Sequence, residues 1–119
     1  LASKILDSKI FDNPNIVKVE TKHSLNNTNF PEAIDFGRKI TSKSENIYHH
    51  LGIYCYKKDV LKRFVTYQQS SNEIKNNLEQ LRALDNDINI NVTLAKSSPI
   101  GVDTEEDFVA IKKIMEYKT

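Results

Sequence analysis

The chain of 119 residues contains no tryptophan, one cysteine, one methionine, three glycines and three prolines. A single cysteine excludes an internal disulfide and any metal site built from several cysteines. So few glycines and prolines exclude a long flexible linker. No apolar run approaches the ~20 residues of a membrane span, and the first ten residues, LASKILDSKI, do not resemble a signal peptide. We therefore expect a reducing, cytoplasmic location and no membrane span.

A surplus of charge of either sign is also missing. The chain has 17 Lys and Arg against 16 Asp and Glu, which gives a formal net charge of +1. Nucleic-acid binding would require a basic surplus or a basic stripe, so no nucleic-acid partner is expected. With 39% apolar and 28% charged residues, the composition is typical of a folded protein. The length fits one domain, residues 1–119.

Alternating and helical patterns follow one another along the chain and predict an α/β or α+β sheet domain. Leu1, Ile5, Leu6 and Ile10 have helical spacing, but FDNPN ends the pattern because Asn-Pro disfavours helix. Strands are predicted in NIVKVE, AIDFGRK, HLGIYCY and INVTLA, the first two as a hairpin.

Three helices are predicted in the second half of the chain. The first runs from about Lys58 to Tyr67. The second is SSNEIKNNLEQLRALDN, which Ser70 and Glu73 begin as a capping box. Its apolar stripe consists of Ile74, Leu78, Leu81 and Leu84. The third lies in GVDTEEDFVAIKKIMEYK, where Asp103 or Thr104 is the cap and the residues expected to face inward are Phe108, Ile111 and Met115.

The segment HLGIYCY, residues 50–56, has two different faces if it forms a strand. The apolar face, expected in the core, consists of Leu51, Ile53 and Cys55. The other face consists of His50, Gly52, Tyr54 and Tyr56. Glycine weakens a strand and often marks a close approach by a ligand or another backbone. This polar face is therefore a candidate binding surface.

Other polar residues allow both an ordinary and a functional interpretation. Glu79 lies opposite the leucine stripe with Gln80 beside it, so the two are either solvent-exposed or positioned to bind sugar hydroxyls. Arg38 is either a surface charge or a fork for a carboxylate or phosphate. Asp103 is either a helix cap or a Mg²⁺ ligand.

His49 and His50 are adjacent in a predicted strand, so they point to opposite faces and cannot easily share a metal. No phosphate-binding glycine loop or self-sufficient catalytic motif is present.

Four segments nevertheless carry a family resemblance. NPNIVKVE, HLGIYCY, LEQLRAL and GVDTEEDF stand in the order and approximate spacing found in the C-terminal half of 3-deoxy-manno-octulosonate cytidylyltransferases, also called CMP-Kdo synthetases. The resemblance extends from residue 1 to the end of the chain. It implies a partial Rossmann-like nucleotidyltransferase fold, a mixed sheet with flanking helices, and the absence of the N-terminal nucleotide-binding half. It also implies a homodimer.

The family transfers CMP from CTP to the sugar acid 3-deoxy-manno-octulosonate with Mg²⁺, and pyrophosphate is released, for lipopolysaccharide synthesis. By resemblance, Arg38 lies near the sugar carboxylate, His50 and Tyr54 line the sugar site, and Glu79 and Gln80 bind the sugar. Asp103 matches a Mg²⁺ ligand. No residue of this segment is expected to be catalytic in its own right.

The chain also departs from the family pattern. Gly37 stands where serine is usual, Asn76 stands where an acid is common, and the proline-tryptophan loop after Arg38 is altered. Because the family's N-terminal nucleotide-binding half is absent, we expect no turnover by the 119 residues alone. Two alternatives stay open, namely a non-catalytic dimerisation or sugar-binding remnant and a synthetase for a different eight- or nine-carbon sugar acid.

Overall fold

The computed structural model describes residues 1–118, which form an antiparallel sheet with helices beside it. The strands are β1 (Ala2–Ser3), β2 (Lys18–Thr21), β3 (Ala33–Gly37) and β4 (Ile47–His50), in the spatial order β1-β4-β2-β3. The helices are α1 (Ser8–Asp12), α2 (Lys58–Phe64), α3 (Ser71–Asn76), α4 (Gln80–Asp85) and α5 (Glu105–Tyr117). The α/β class predicted from the sequence is confirmed. The ladders between the four strands are antiparallel, and a parallel bridge joins Ala2 to Leu94 outside them.

The predicted hairpin is formed by β2 and β3. Val19 pairs with Phe36, and both side chains are buried. Directly opposite residues share one face of a sheet, so this pair forms part of the apolar floor on which the helices pack. The register shifts between Glu20 and Thr21, where the chain leaves the ladder for the long connection to β3.

Two groups of buried side chains form the core. The larger group joins the sheet to the α3–α4 region and includes Val19, Phe36, Tyr48, Leu78, Leu81 and Val92. The smaller group links α2 to α4 and consists of Phe64, Ala83 and Ile88. These contacts hold β3, β4 and α4, which carry or adjoin Arg38, His50 and Gln80, on one framework.

The strand prediction for residues 50–56 is wrong, because β4 is Ile47–His50 and the following residues leave the sheet. Leu51 is buried as expected, but Ile53 is 63% exposed and Cys55 is exposed. Alternation of apolar and polar residues along a short stretch shows which side chains would share a face. It does not show where hydrogen bonding to a neighbouring strand ends. The core assignment therefore holds only for Leu51.

The long helix predicted from Ser70 is two helices. α3 starts with the predicted capping box, in which Ser70 and Glu73 each accept the other's backbone N–H. It ends at Asn77, whose left-handed φ of 52° reverses the chain before α4. Leu78 and Leu81 of the predicted apolar stripe are buried. Ile74 is 64% exposed, so its inclusion in that stripe is wrong. Asparagine tolerates this conformation better than most residues, which allows the break.

The remaining predictions are met in part. Residues 1–12 contain β1 and α1 instead of one helix, and α2 ends at Phe64 rather than at Tyr67. INVTLA buries Val92 but pairs only through isolated bridges at Asn91 and Leu94.

The last helix begins as predicted. Thr104 caps α5 through a capping box with Asp107. However, α5 has no buried residue, and Phe108 and Met115 are 49% and 65% exposed, so the prediction that they face inward is wrong. An apolar stripe shows which side of a helix is hydrophobic. It does not show that another helix or a sheet packs against that side.

No helix among residues 1–118 combines the length and the apolar character needed to cross a lipid bilayer.

Candidate functional site

His50 and Tyr54 meet at the end of β4 although the predicted strand does not continue through them. The Tyr54 hydroxyl and His50 Nε2 are 2.9 Å apart, at hydrogen-bond distance. Their ring centroids are 5.5 Å apart, and Phe36 packs edge-on against His50 at 5.2 Å. The buried phenylalanine thus provides an apolar backing for a polar pair at the edge of the sheet.

Glu79 belongs to the same neighbourhood, directly before α4. Burial raises the pKa of Tyr54, and the nearby Tyr56 phenol and Glu79 carboxylate raise it further. The pKa of Tyr56 is also raised, first by burial and then by Glu79. A carboxylate disfavours ionisation of a neighbouring phenol, so both hydroxyls keep their protons and stay hydrogen-bond donors. The Glu79 carboxylate therefore lies near Tyr54 and Tyr56, and the Tyr54 hydroxyl joins His50 to the same neighbourhood.

The imidazole of His50 is neutral at physiological pH. Burial lowers its pKa to about 4. A neutral imidazole has one donor and one acceptor nitrogen, so His50 can serve Tyr54 with one and a ligand with the other. Together with a protonated phenol and a carboxylate, this arrangement offers donors and acceptors side by side over an aromatic surface, as recognition of sugar hydroxyls requires.

Gln80 is the first residue of α4 and directly follows Glu79. Its side chain is half-buried, and among residues 1–118 no hydrogen-bond partner engages its amide. The amide can therefore both donate to and accept from a ligand.

Arg38 lies in a separate open groove of about 780 Å³. Other residues lining it are Phe36, Asn72, Lys75, Asn76 and Leu81. Arg38 Nη1 donates to the backbone carbonyl of Asn76 at 2.5 Å. Within the described part of the chain no contact joins Arg38 to His50 or Tyr54, so the guanidinium is not brought to the predicted cluster. Its remaining donors suit an anion in the groove.

Asp103 precedes α5 and contacts none of the other predicted site residues. Its backbone N–H donates to Asp107 Oδ2, and in the part of the chain that the structure covers no donor engages its own carboxylate. No group of three or more His, Cys, Asp or Glu within residues 1–118 is arranged to hold a metal. One exposed carboxylate fits Mg²⁺ only where phosphate oxygens and water supply the other ligands. Asp103 as a metal ligand therefore stays a prediction.

The sequence reasoning missed the side chains that support the polar pair. Tyr56 contacts Tyr54 on one side and Phe64 on the other, and Arg82 stacks on Phe64 and pairs with Glu73. Glu73 was identifiable only as a cap, and its separation of nine positions from Arg82 matches no helical contact spacing. Gly52 is exposed, and a Cβ placed there would meet no atom within 4 Å, so no other backbone packs against it.

Comparisons with known proteins point in one direction. No protein-family model matches the chain. The chain is 37% identical over 117 residues to the 3-deoxy-manno-octulosonate cytidylyltransferase of Bartonella tribocorum, an alignment of 97% of this chain and 47% of that protein. The enzyme of the same name from Afipia carboxidovorans is 40% identical over 116 residues, 97% of this chain and 46% of that protein.

A solved structure agrees with these relatives. It is that of a CMP:2-keto-3-deoxy-manno-octonic acid synthetase complexed with CTP, and it superposes with a TM-score of 0.79 at 27% identity. The superposition covers 99% of this chain and 48% of that one. The chain thus spans about half the length of the relatives it matches. The resemblance read from the sequence motifs is confirmed, and the chain is homologous to the 3-deoxy-manno-octulosonate cytidylyltransferases over about half of their length.

Proposed function

We propose that this chain supplies the sugar-acid side of a cytidylyltransferase that transfers CMP from CTP to 3-deoxy-manno-octulosonate and releases pyrophosphate. The observation that carries the proposal is the hydrogen-bonded His50–Tyr54 pair, with the Glu79 carboxylate near Tyr54. It is supported by relatives that bear this name and by a structural neighbour in complex with CTP.

The three side chains and Gln80 bind the hydroxyl groups of the sugar acid in this proposal. Tyr54 donates, Glu79 accepts, and the neutral His50 and the Gln80 amide do either. Because Phe36 backs the imidazole, the pair keeps its orientation when a ligand arrives, which lowers the entropy cost of binding. Arg38 holds the sugar carboxylate only if the ligand reaches the groove it lines.

Asp103 would hold Mg²⁺ with phosphate oxygens of CTP. When bound, the ion would neutralise negative charge on the phosphates of CTP. That charge otherwise disfavours attack on the phosphate and departure of pyrophosphate. Asp103 needs no rearrangement to take this part, since its carboxylate is exposed and accepts no hydrogen bond within the described residues. The proposal also includes a cytoplasmic homodimer that serves lipopolysaccharide synthesis.

A second candidate is a non-catalytic sugar-binding or dimerisation remnant. Gly37 and Asn76 depart from the family pattern and both line the groove that holds Arg38. An intact carboxylate-binding groove is therefore the feature that separates the two candidates.

Sugar-acid binding tests the proposed site directly. Isothermal titration of the chain with 3-deoxy-manno-octulosonate should give a dissociation constant that Gln80→Ala raises by about ten-fold, the equivalent of one hydrogen bond of ~1.4 kcal/mol. Gln68→Ala is the matched control, because Gln68 is exposed between α2 and α3 and contacts nothing at the site. An unchanged affinity for Gln80→Ala would disprove the assignment of Gln80. A nine-carbon sugar acid titrated in parallel tests the alternative substrate.

Turnover tests the need for further structure. With CTP, Mg²⁺ and the sugar acid, the isolated 119 residues should release no pyrophosphate, because they contain no phosphate-binding loop. Release above the no-enzyme rate would show that this expectation is wrong. A different result would favour the non-catalytic remnant. In that case the chain binds the sugar acid, and there is still no turnover when the remainder of the protein is supplied.

A further inference from the structure

Arg82 has the geometry of a fixed anchor. On α4, its Nε donates to Glu73 Oε2 at 2.8 Å and its Nη2 donates to Glu73 Oε1 at 2.6 Å. The two side chains are only 15% and 5% exposed. Glu73 is fixed in turn, because it also accepts the backbone N–H of Ser70 in the α3 capping box. A two-pronged pair of this kind sets the orientation of the guanidinium as well as its position.

The same guanidinium stacks on an aromatic ring. Its central carbon lies 4.9 Å from the centroid of Phe64, the buried last residue of α2. Cation–π contacts of this kind are favourable when the pair is shielded from water. Arg82 therefore ties three helices together, α3 through Glu73, α2 through Phe64, and its own α4.

A row of rings continues from Phe64 to the candidate site. The centroid distances are 6.1 Å from Phe64 to Tyr56, 6.0 Å from Tyr56 to Tyr54, and 5.5 Å from Tyr54 to His50. We call Phe64, Tyr56, Tyr54 and His50 the ring row. Each spacing lies within the range in which aromatic pairs attract one another.

Secondary structure and backbone N–H hydrogen bonds do not fix the two tyrosines of the ring row. Residues 51–57 form neither strand nor helix, and within the described chain no backbone N–H of residues 54–57 donates a hydrogen bond. Side-chain contacts must therefore set the position of Tyr54 and Tyr56. One end of the row is held by Phe36 in the sheet, and the other is held by Phe64 under Arg82.

We propose that Arg82 is a positioning residue that fixes the ring row, and with it the His50–Tyr54 wall of the sugar-acid site. Arg82 also follows Gln80 by two residues in α4, so the same anchor fixes the helix start that carries the binding amide. The site assignment used here rests on the proposed function, whereas the effect of Arg82 on the ring row does not.

The test compares Arg82→Lys with Arg63→Lys. Lysine keeps the charge at position 82 and loses the planar fork, and Arg63 is an exposed arginine of α2 that serves as the matched control. Two quantities are measured at a temperature where circular dichroism shows each variant folded. The first is the nuclear Overhauser contact and ring-current shift between His50 and Tyr54, and the second is the dissociation constant for 3-deoxy-manno-octulosonate.

For Arg82→Lys we expect the His50–Tyr54 contact to weaken and the dissociation constant to rise roughly ten-fold or more, in line with what misplaced groups cost. Arg63→Lys should match the wild type in both. A residue with only a structural role would lower the melting temperature and leave both readouts unchanged in the folded variant, and that result would overturn the proposal.

Tyr56→Leu provides a second, independent variant. Tyr56 is 41% exposed, so its loss is compatible with folding, and it interrupts the ring row without touching the Glu73–Arg82 pair. It should shift the His50 and Tyr54 signals as Arg82→Lys does, and unchanged signals would contradict the proposal even if Arg82→Lys fails to fold. If the wild type binds no sugar acid, the proposed function fails, while the His50–Tyr54 signals still decide the role of Arg82.

Discussion

Lys18 donates from Nζ to the backbone carbonyl of Arg38, 2.6 Å away. The same ammonium group donates to the carbonyl of Asn13 at 2.7 Å, and Lys18 is only 1% exposed. It is thus a buried cation in a strand, satisfied by two main-chain oxygens. Because the contact is to the backbone of Arg38, it fixes where β3 ends and where the Arg38 side chain enters the groove. Burial lowers the pKa of Lys18.

Replacement of this lysine should cost stability and disturb Arg38. Lys18→Met retains the aliphatic stem but removes the donor to two half-buried carbonyls, of which only that of Asn13 keeps another donor, the Ile16 N–H. We therefore expect the free energy of unfolding to fall by about 2 kcal/mol. Urea denaturation measures this loss. Lys39→Met, at an exposed position beside the same groove, is the control and should change the free energy by less than about 0.5 kcal/mol. Equal effects of the two substitutions would show that the contacts of Lys18 do not matter.

The break between α3 and α4 predicts an unusual order of stability. Asn77 has a φ of 52°, where a Cβ is unfavourable and glycine is not. Asn77→Gly should therefore be more stable than Asn77→Ala by about 1 kcal/mol, although alanine is the better residue inside a helix by a similar amount. Thermal or urea unfolding of the two variants gives the order. Greater stability of the alanine variant would mean that one continuous helix is the preferred structure.

The buried His50 makes stability depend on pH. A histidine in an unfolded chain titrates near pH 6.5, whereas in the folded chain the pKa of His50 is about 4. Between these values the unfolded chain binds the proton that the folded chain excludes. The contribution of the neutral His50 to the free energy of unfolding is therefore fully present above pH 6.5. As the pH falls toward 4, about 2 kcal/mol of this free energy is lost. Urea midpoints between pH 4 and 7 should show this decline.

The His50→Gln variant provides the control for that decline, because glutamine has no titrating proton. Its urea midpoint should lose the His50 part of the pH dependence. His23→Gln changes a histidine on the exposed connection between β2 and β3 and should keep that part. A decline of unchanged size in His50→Gln would assign it to other groups.

The metal assignment predicts a local effect at the start of α5. Mn²⁺, which prefers the same oxygen ligands as Mg²⁺, should broaden the amide signals around Asp103 when CTP is present. Asp103→Asn should abolish this broadening and leave the melting temperature unchanged, because the carboxylate is exposed. Asp59→Asn changes an exposed acid in the first turn of α2 and is the matched control. Persistent broadening in the Asp103 variant would exclude it as a ligand.

Local signals in the sequence predicted some elements well. The capping box at Ser70 and the cap at Thr104 depend on residues within a few positions of one another, and β2 and β3 form the predicted hairpin. The strand expected through Tyr56 and the buried face expected for α5 failed for a different reason. Strand pairing and helix burial depend on a partner distant in sequence, and an alternating or helical pattern shows only what the segment could do with one.

The candidate site shows the same division. His50 and Tyr54 were predicted from the sequence, and the structure joins them by a hydrogen bond, with the predicted Glu79 near Tyr54. Arg38 and Asp103 were predicted by the same resemblance and lie elsewhere, one in the groove beside Asn76 and one at the start of α5. No local pattern assigns a role to Arg82, because its contacts with Glu73 and Phe64 join three separate helices.

The sequence by itself determined the α/β class, the family resemblance and the starts of α2, α3 and α5, since these follow from residue types at fixed short spacings. The tertiary structure alone decided that β4 stops at His50, that Asn77 divides one predicted helix into two, and that the ring row ends under Arg82. The physical reason is that burial and hydrogen-bond satisfaction are properties of pairs. The second member of each pair here comes from a segment that no local pattern identifies.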